Sequence, residues 1–117
     1  MTLGVIGSRK FTDEALLRHH LDMLQQDISA IVNRGAKGAD QMAEAWAKDK
    51  GIPTIIFLHE YDKYGRGAPL KRNHLIIAES DHILAIIAGE SRGTHYTIRA
   101  AEKTGKEVEI ATWGLNI

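Results

Sequence analysis

Cysteine is absent from this chain of 117 residues. That absence excludes a disulfide framework, a thiolate metal site and a cysteine nucleophile, and it fits a reducing compartment. No apolar run reaches the roughly 18 residues that a membrane-spanning helix requires, and the N-terminus lacks a signal-peptide pattern. We therefore expect a cytoplasmic protein that does not enter a membrane.

Net charge is also absent, because fifteen Lys and Arg residues balance fifteen Asp and Glu residues. A single-stranded nucleic acid requires a broad basic surface, so this balance disfavours a nucleic-acid binder without excluding it. The charge is nevertheless uneven along the chain. Segments 7–13, 34–40, 59–72 and 89–94 hold nine basic and five acidic residues, a local excess of four positive charges.

Three familiar catalytic or metal-binding motifs are missing or incomplete. A P-loop requires Ser or Thr after Gly-Lys, whereas Glu107 follows Gly105-Lys106. The six histidines show no metal-ligand spacing, so no metal site is predicted. The segment Gly89–Gly93 matches a G-x-S-x-G nucleophile elbow, but no Asp follows it and His95 is the one later His, which disfavours a serine hydrolase.

Five short apolar runs predict buried strands, and segments with helical spacing lie between them. The predicted strands are Leu3–Ile6, Ile28–Val32, Thr54–Leu58, Ile83–Ile87 and Val108–Thr112. The helical segments contain Leu16 to Leu24, Met42 to Ala47, Leu70 to Glu79 and Thr94 to Lys103. This alternation is typical of an α/β protein with a parallel sheet covered by helices on both faces. The length predicts a single domain over residues 1–117.

Ligands of open parallel sheets bind beyond the carboxyl ends of the strands. Glycine and basic residues occur together in three loops predicted there, at 7–13, 34–40 and 89–94. Backbone N–H groups and arginine side chains suit phosphate oxygens, so we predict a phosphate-bearing small ligand at this edge. The long connection His59–Pro69 is a further candidate, because long loops in compact domains are often functional.

Some of these residues also have a structural interpretation. Asp13 and Asp40 stand where helix N-caps belong, and we expect them to cap the first and second helices. Gly35 and Gly38 either form a tight turn between strand and helix or allow a ligand to approach the backbone.

Four ordered motifs resemble the YspA-like branch of the SLOG superfamily, which is named after the Smf/DNA-processing protein A and Lonely Guy groups. The motifs are Gly7-Ser8-Arg9 with Phe11-Thr12-Asp13, Gly35-Ala36-Lys37-Gly38-Ala39-Asp40, Gly65-Arg66-Gly67-Ala68-Pro69 with Arg72-Asn73, and Gly89-Glu90-Ser91-Arg92-Gly93-Thr94. The resemblance implies a three-layer Rossmann-like domain whose five parallel strands have the order 3-2-1-4-5.

The functions implied by this resemblance fall into three groups. Lonely Guy enzymes are phosphoribohydrolases of nucleoside monophosphates, DNA-processing protein A binds single-stranded DNA, and other SLOG domains sense nucleotide-derived signals. Arg72 falls where the phosphoribohydrolases place an arginine near ribose and phosphate, and Gly93-Thr94 falls in their phosphate-binding turn. Thr97 occupies the position of their catalytic Glu. Glu90 and Asp40, which lie in other loops, are the acids left to take the role of that Glu.

The leading hypothesis is therefore a nucleotide-binding or nucleotide-derivative-binding protein. A phosphoribohydrolase and a single-stranded nucleic-acid binder are the alternatives. No catalytic residue is assigned and no cofactor is expected, and the resemblance implies a homodimer or higher homo-oligomer. The candidate nucleotide- and phosphate-binding residues are Gly7, Ser8, Arg9, Gly35, Lys37, Gly38, Asp40, Arg72, Asn73, Gly89, Ser91, Arg92, Gly93 and Thr94.

Overall fold

The computed structural model describes residues 1–7, 11–35, 38–56, 68–88 and 92–113. Within these ranges the description excludes the side chains at positions 68–73, 88, 92, 93 and 113. The elements are β1 (Thr2–Gly7), α1 (Glu14–Leu24), a short 3-10 helix (Gln25–Asp27), β2 (Ala30–Asn33), α2 (Ala39–Lys50), β3 (Thr54–Ile56), α3 (Ala68–Glu79), β4 (His82–Ala88), α4 (Arg92–Lys103) and β5 (Glu107–Trp113).

The five strands form one parallel sheet in the order β3-β2-β1-β4-β5. The N-terminal strand β1 is thus central, and it pairs with β2 on one side and with β4 on the other. Gly4 lies opposite Val32 of β2 and Ile83 of β4. This arrangement confirms the predicted α/β class and the predicted strand order.

The element boundaries differ from the prediction by a few residues. Strand β2 begins at Ala30 rather than Ile28, because the 3-10 helix precedes it and the Ser29 N–H donates to the Met1 carbonyl at 2.7 Å. Helices α3 and α4 each begin two residues before the predicted starts. Strand β3 is described as far as Ile56, and the rest of its predicted span lies outside the described residues.

The core consists of two apolar layers, one on each face of the sheet. Successive strand residues point to opposite faces, so Leu84 and Ile86 pack on one side while Ile83 and Ala85 pack on the other. The first layer contains Leu17 and Leu21 of α1 and Ala43, Trp46 and Ala47 of α2. The second layer contains Ile76 and Ile77 of α3 and Ile98 and Ala101 of α4. The inner strands β1, β2 and β4 are covered on both faces and are almost continuously apolar, as their sequences indicated. The predicted burial was wrong for the edge strands, because Ile55 and Ile56 of β3 and Ile110 of β5 are exposed.

Trp46 anchors α2 against α1 in the first layer. Its side chain is fully buried, and its indole Nε1–H donates to Asp22 Oδ1 of α1 at 2.9 Å. A buried indole N–H requires an acceptor, and the exposed residue Asp22 supplies it from the rim of the layer. This contact joins α1 to α2 at the rim of the layer.

No helix in the described ranges has both the length and the apolar character needed to cross a lipid bilayer.

Replacement of Asp22 by alanine tests the contact with Trp46. Asp22→Ala leaves the buried indole N–H without its acceptor, so the free energy of unfolding should fall by about 1–2 kcal/mol. Asp22→Asn keeps a side-chain oxygen at the same place and is the matched control, with a much smaller loss. Urea denaturation measures both, and equal stability of the two variants would contradict this role.

Candidate functional site

The carboxyl edge of the sheet collects the ends of the strands and the starts of the helices that follow them. Strands β1, β2 and β4 end there at Gly7, Asn33 and Ala88. Helices α2 and α4 begin at Ala39 and Arg92. Since the first N–H groups of a helix have no partner within the helix, such an edge carries a partial positive charge suited to anions.

Gly7 lets α2 approach the end of β1 closely. A Cβ atom on Gly7 would lie 2.8 Å from the Ala39 Cβ and 3.0 Å from the Ile86 Cβ. Both distances are too short for carbon atoms in van der Waals contact. The absence of a side chain at Gly7 therefore places the amino end of α2 directly against the central strand.

Asn33 closes the turn between β2 and α2 with both ends of its buried amide. Its Oδ1 accepts from the Gly35 N–H at 2.7 Å, and its Nδ2 donates to the Asp40 carbonyl at 3.2 Å. Gly35 and Gly38 both have positive φ angles, of 68° and 81°, which favour glycine. The turn interpretation of these two glycines is thus confirmed, while their approach to a ligand remains a prediction.

An ion pair between Arg34 and Asp40 spans the same turn. Asp40 Oδ2 accepts from the Arg34 backbone N–H at 2.8 Å and from its Nε at 3.3 Å. The Asp40 side chain is fully buried and that of Arg34 is 12% exposed. The guanidinium also donates from Nη2 to the Gly7 carbonyl at 2.6 Å. Arg34 thereby joins the ends of β1 and β2 to the first turn of α2.

The two predicted N-caps have different outcomes. Asp13 caps α1 as predicted, because its Oδ1 accepts from the Leu16 N–H at 3.1 Å. The prediction for Asp40 was wrong: Gly38 is the N-cap of α2, and Asp40 lies inside the first turn. Asp40 is the second residue of α2, and its carboxylate is directed back to Arg34. Gly38 has no side chain to accept a hydrogen bond, so the amino end of α2 has no side-chain cap.

Helix α4 supplies the other described part of this edge. Thr94 is the third residue of α4 and is buried, and Thr97 lies almost one turn further along and is also buried. The second acid considered at this edge, Asp40, is paired with Arg34, so its carboxylate is not a free proton acceptor.

The remaining candidate residues are described in part or not at all. Ser8, Arg9, Lys37, Gly89, Glu90 and Ser91 lie outside the described residues, as does most of the long connection 59–69. Arg72 and Asn73 lie in α3, and Arg92 and Gly93 begin α4, but nothing is described beyond their backbone. Among the described residues no group of three or more His, Asp or Glu side chains is arranged to hold a metal ion.

Two residues important to this edge were missing from the predicted set. Arg34 was counted for its charge but not assigned to the site, and Asn33, which follows the predicted strand Ile28–Val32, was not singled out. One signal was available in the sequence: a polar and a basic residue directly follow a buried strand, six to seven positions before an acid in the next helix. Such a spacing is short enough for a turn to bring the three side chains together.

A five-stranded parallel sheet with glycine turns leading into helices at its carboxyl edge defines a Rossmann-like protein. The model of the YspA, cpYpsA-related SLOG family, YAcAr, matches residues 3–64, more than half of the chain, and the chain belongs to this family. The match confirms the resemblance and includes the turn that Arg34 and Asp40 close. Family membership supports a nucleotide-related function in general.

One curated relative is a viral protein. The Gene 61 protein of Mycobacterium phage D29 is 35% identical over 81 residues. The matched segment covers 64% of this chain and 65% of the phage protein, so the chain spans less than two thirds of the length of that relative.

Replacement of Asp40 by asparagine tests the ion pair. Asp40→Asn leaves the largely buried guanidinium of Arg34 without its counter-charge, and the free energy of unfolding should fall by about 3 kcal/mol. The matched control is Asp49→Asn, because Asp49 also pairs with an arginine, Arg18, but is 62% exposed. We expect that control to lose less than about 1 kcal/mol in thermal or urea unfolding. Similar losses for the two variants would show that the buried Arg34–Asp40 pair contributes no more to stability than the exposed Arg18–Asp49 pair.

Proposed function

We propose that this chain binds a nucleotide or a nucleotide derivative, with a phosphate at the loops that follow β1 and β4. One observation carries the proposal: the uncapped amino end of α2 is held against the end of the central strand by Gly7 and by the Arg34–Asp40 pair. The amino end of a helix at a carboxyl edge is a common anion site. Membership in the SLOG family and the local excess of basic residues favour a phosphate as that anion.

The proposed contacts follow the motifs of the sequence. Ser8 and Arg9 after β1, together with Ser91, Gly93 and Thr94 at the start of α4, would hold the phosphate. Arg72 and Asn73 of α3 would contact a ribose or a second phosphate. Lys37 would close the other side, together with the Gly35–Gly38 turn.

Arg34 and Asp40 have a positioning role in this proposal. Four hydrogen bonds of Arg34 end on Asp40 and on the Gly7 carbonyl, so its guanidinium is directed at the protein. The pair cancels its own charge and leaves the helix N–H groups and the loop cations to attract the ligand. Asp40 thus belongs to the site through the shape of the turn that it fixes.

Binding without hydrolysis is the favoured form of this function. Phosphoribohydrolases require a carboxylate at the position that Thr97 occupies, and Asp40 is neutralised by Arg34. General acid–base assistance is worth about 10²–10⁴-fold in rate, so a hydroxyl is a poor replacement. The ligand should therefore be recovered intact after incubation with the protein.

The proposal also includes a cytoplasmic location, which the composition led us to expect, and pairing of two or more copies of the chain, which the family resemblance implies. Sedimentation of the purified protein, with and without a bound nucleotide, tests the second property.

A thermal-shift panel tests the proposal directly. The ligands are nucleoside mono-, di- and triphosphates, ADP-ribose, NAD and cyclic nucleotides, each with its unphosphorylated nucleoside as the control where one exists. A ligand at about 100 times its Kd stabilises a protein by about 2.7 kcal/mol, which raises the Tm of a domain of this size by several degrees. A folded protein whose Tm no nucleotide changes would contradict the proposal. Chromatography of the best ligand for free base then separates binding from hydrolysis.

The substitution Arg72→Ala tests the assignment of one residue. With the best ligand of the panel, the Kd measured by calorimetry should rise at least tenfold, because a charge-assisted contact to phosphate is lost. The Tm of the free variant should stay close to that of the parent. Lys48→Ala removes a charge from the last turn of α2 and is the matched control, with an unchanged Kd. An unchanged Kd for Arg72→Ala would remove this residue from the site.

A further inference from the structure

A cavity lies between α3 and α4 and extends toward the amino edge of the sheet. It has a volume of about 470 Å³, and its described walls are His74, Tyr96, Arg99, Ala100, Lys103 and Thr104. Helix α4 runs from the carboxyl end of β4 to the amino end of β5. Lys103 and Thr104 therefore lie toward the amino edge of the sheet. This groove is distinct from the site proposed above.

Two aromatic side chains form one part of the wall. The Tyr96 hydroxyl and the His74 Nε2 are 3.3 Å apart, and the two rings meet edge to face with centroids 6.2 Å apart. Tyr96 remains 38% exposed, so part of its ring is open to solvent. Such a pair offers a flat, partly apolar surface that is held in place from both helices.

Two cations form the next part of the wall. Arg99 and Lys103 are separated by four residues on α4, so they lie on the same face of the helix and repel each other. Both are exposed, and neither has an ion-pair partner within the described part of the chain. Glu102 is near in sequence but is not among the described walls. An anion in the groove would relieve the repulsion between the two cations.

We propose that this groove binds a small organic anion that carries a flat ring, such as an aryl phosphate or an aromatic carboxylate. The ring would lie against Tyr96 and His74, and the anionic group would lie between Arg99 and Lys103. The guanidinium of Arg99 matches the paired oxygens of a carboxylate or a phosphate. The volume of the groove falls within the range of about 300–1,000 Å³ that small-molecule sites occupy.

An NMR titration of the ¹⁵N-labelled protein with phenyl phosphate tests the groove. We expect saturable shifts of the backbone amides of residues 96–104. The double substitution Arg99→Gln with Lys103→Gln should raise the Kd at least tenfold. The matched control is Lys48→Gln with Lys50→Gln, which removes two charges from the end of α2 and should leave the Kd unchanged. An equal Kd for the parent and the Arg99/Lys103 variant would overturn the proposal.

Tyr96→Ser separates the contribution of the ring from that of the charges. This substitution should weaken the binding of phenyl phosphate and leave the binding of inorganic phosphate, which is weaker in the parent, unaltered. If inorganic phosphate binds the parent as tightly as phenyl phosphate does, the ring has no subsite and the proposal fails. Amide shifts confined to residues 38–42 and 92–95 would also overturn the proposal for the groove, and they would support an anion site at the carboxyl edge. The two sites are therefore tested independently.

Discussion

The ion pair between Arg34 and Asp40 is the contact on which the carboxyl edge depends. Strands β1 and β2 end beside this pair and helix α2 begins there, and each leaves backbone groups that need partners. Arg34 donates to the carbonyl at the end of β1 and to the acid in the first turn of α2. Asn33 adds the two hydrogen bonds that close the turn. A single, largely buried cation thus joins the ends of β1 and β2 to the start of α2.

Much of the fold was predictable because its determinants are local. The apolar runs of the strands indicate burial on both faces, and the helical spacing of Leu17 and Leu21 indicates which face of α1 packs on the sheet. Asp13 was predictable for the same reason, since a cap is defined by residues within one turn. The strand order, in contrast, was not predictable from local patterns. It came from the resemblance, because periodicity states that a strand exists but says nothing about its neighbours.

The parts that escaped prediction depend on contacts between distant segments. Asp40 has the residue type of a cap and stands near a helix start, yet the N-cap of α2 lies two residues earlier, at Gly38, and the Asp40 carboxylate binds Arg34. The bond from Arg34 to the Gly7 carbonyl joins residues 27 positions apart, a distance at which sequence patterns contain little information. The groove beside Tyr96 likewise requires α3 and α4 to lie side by side, which only the assembled sheet determines.

The central position of β1 has a consequence for the time at which the sheet is completed. Strand β1 is the first to leave the ribosome, and β2 and β3 can pair on one side of it as soon as residues 30–56 follow. The other side of β1 stays unpaired until β4 has been synthesised. There Leu3 pairs with His82, and the Thr2 N–H donates to the carboxylate of Asp81, 79 residues away. During synthesis the middle of the future sheet is therefore an open edge, with unpaired backbone groups beside Val5 and Ile6. An exposed apolar edge is prone to pair with another chain. Half-finished chains should therefore depend on the ribosome surface or on chaperones for protection of this edge. The finished protein should not, because β4 then covers the edge.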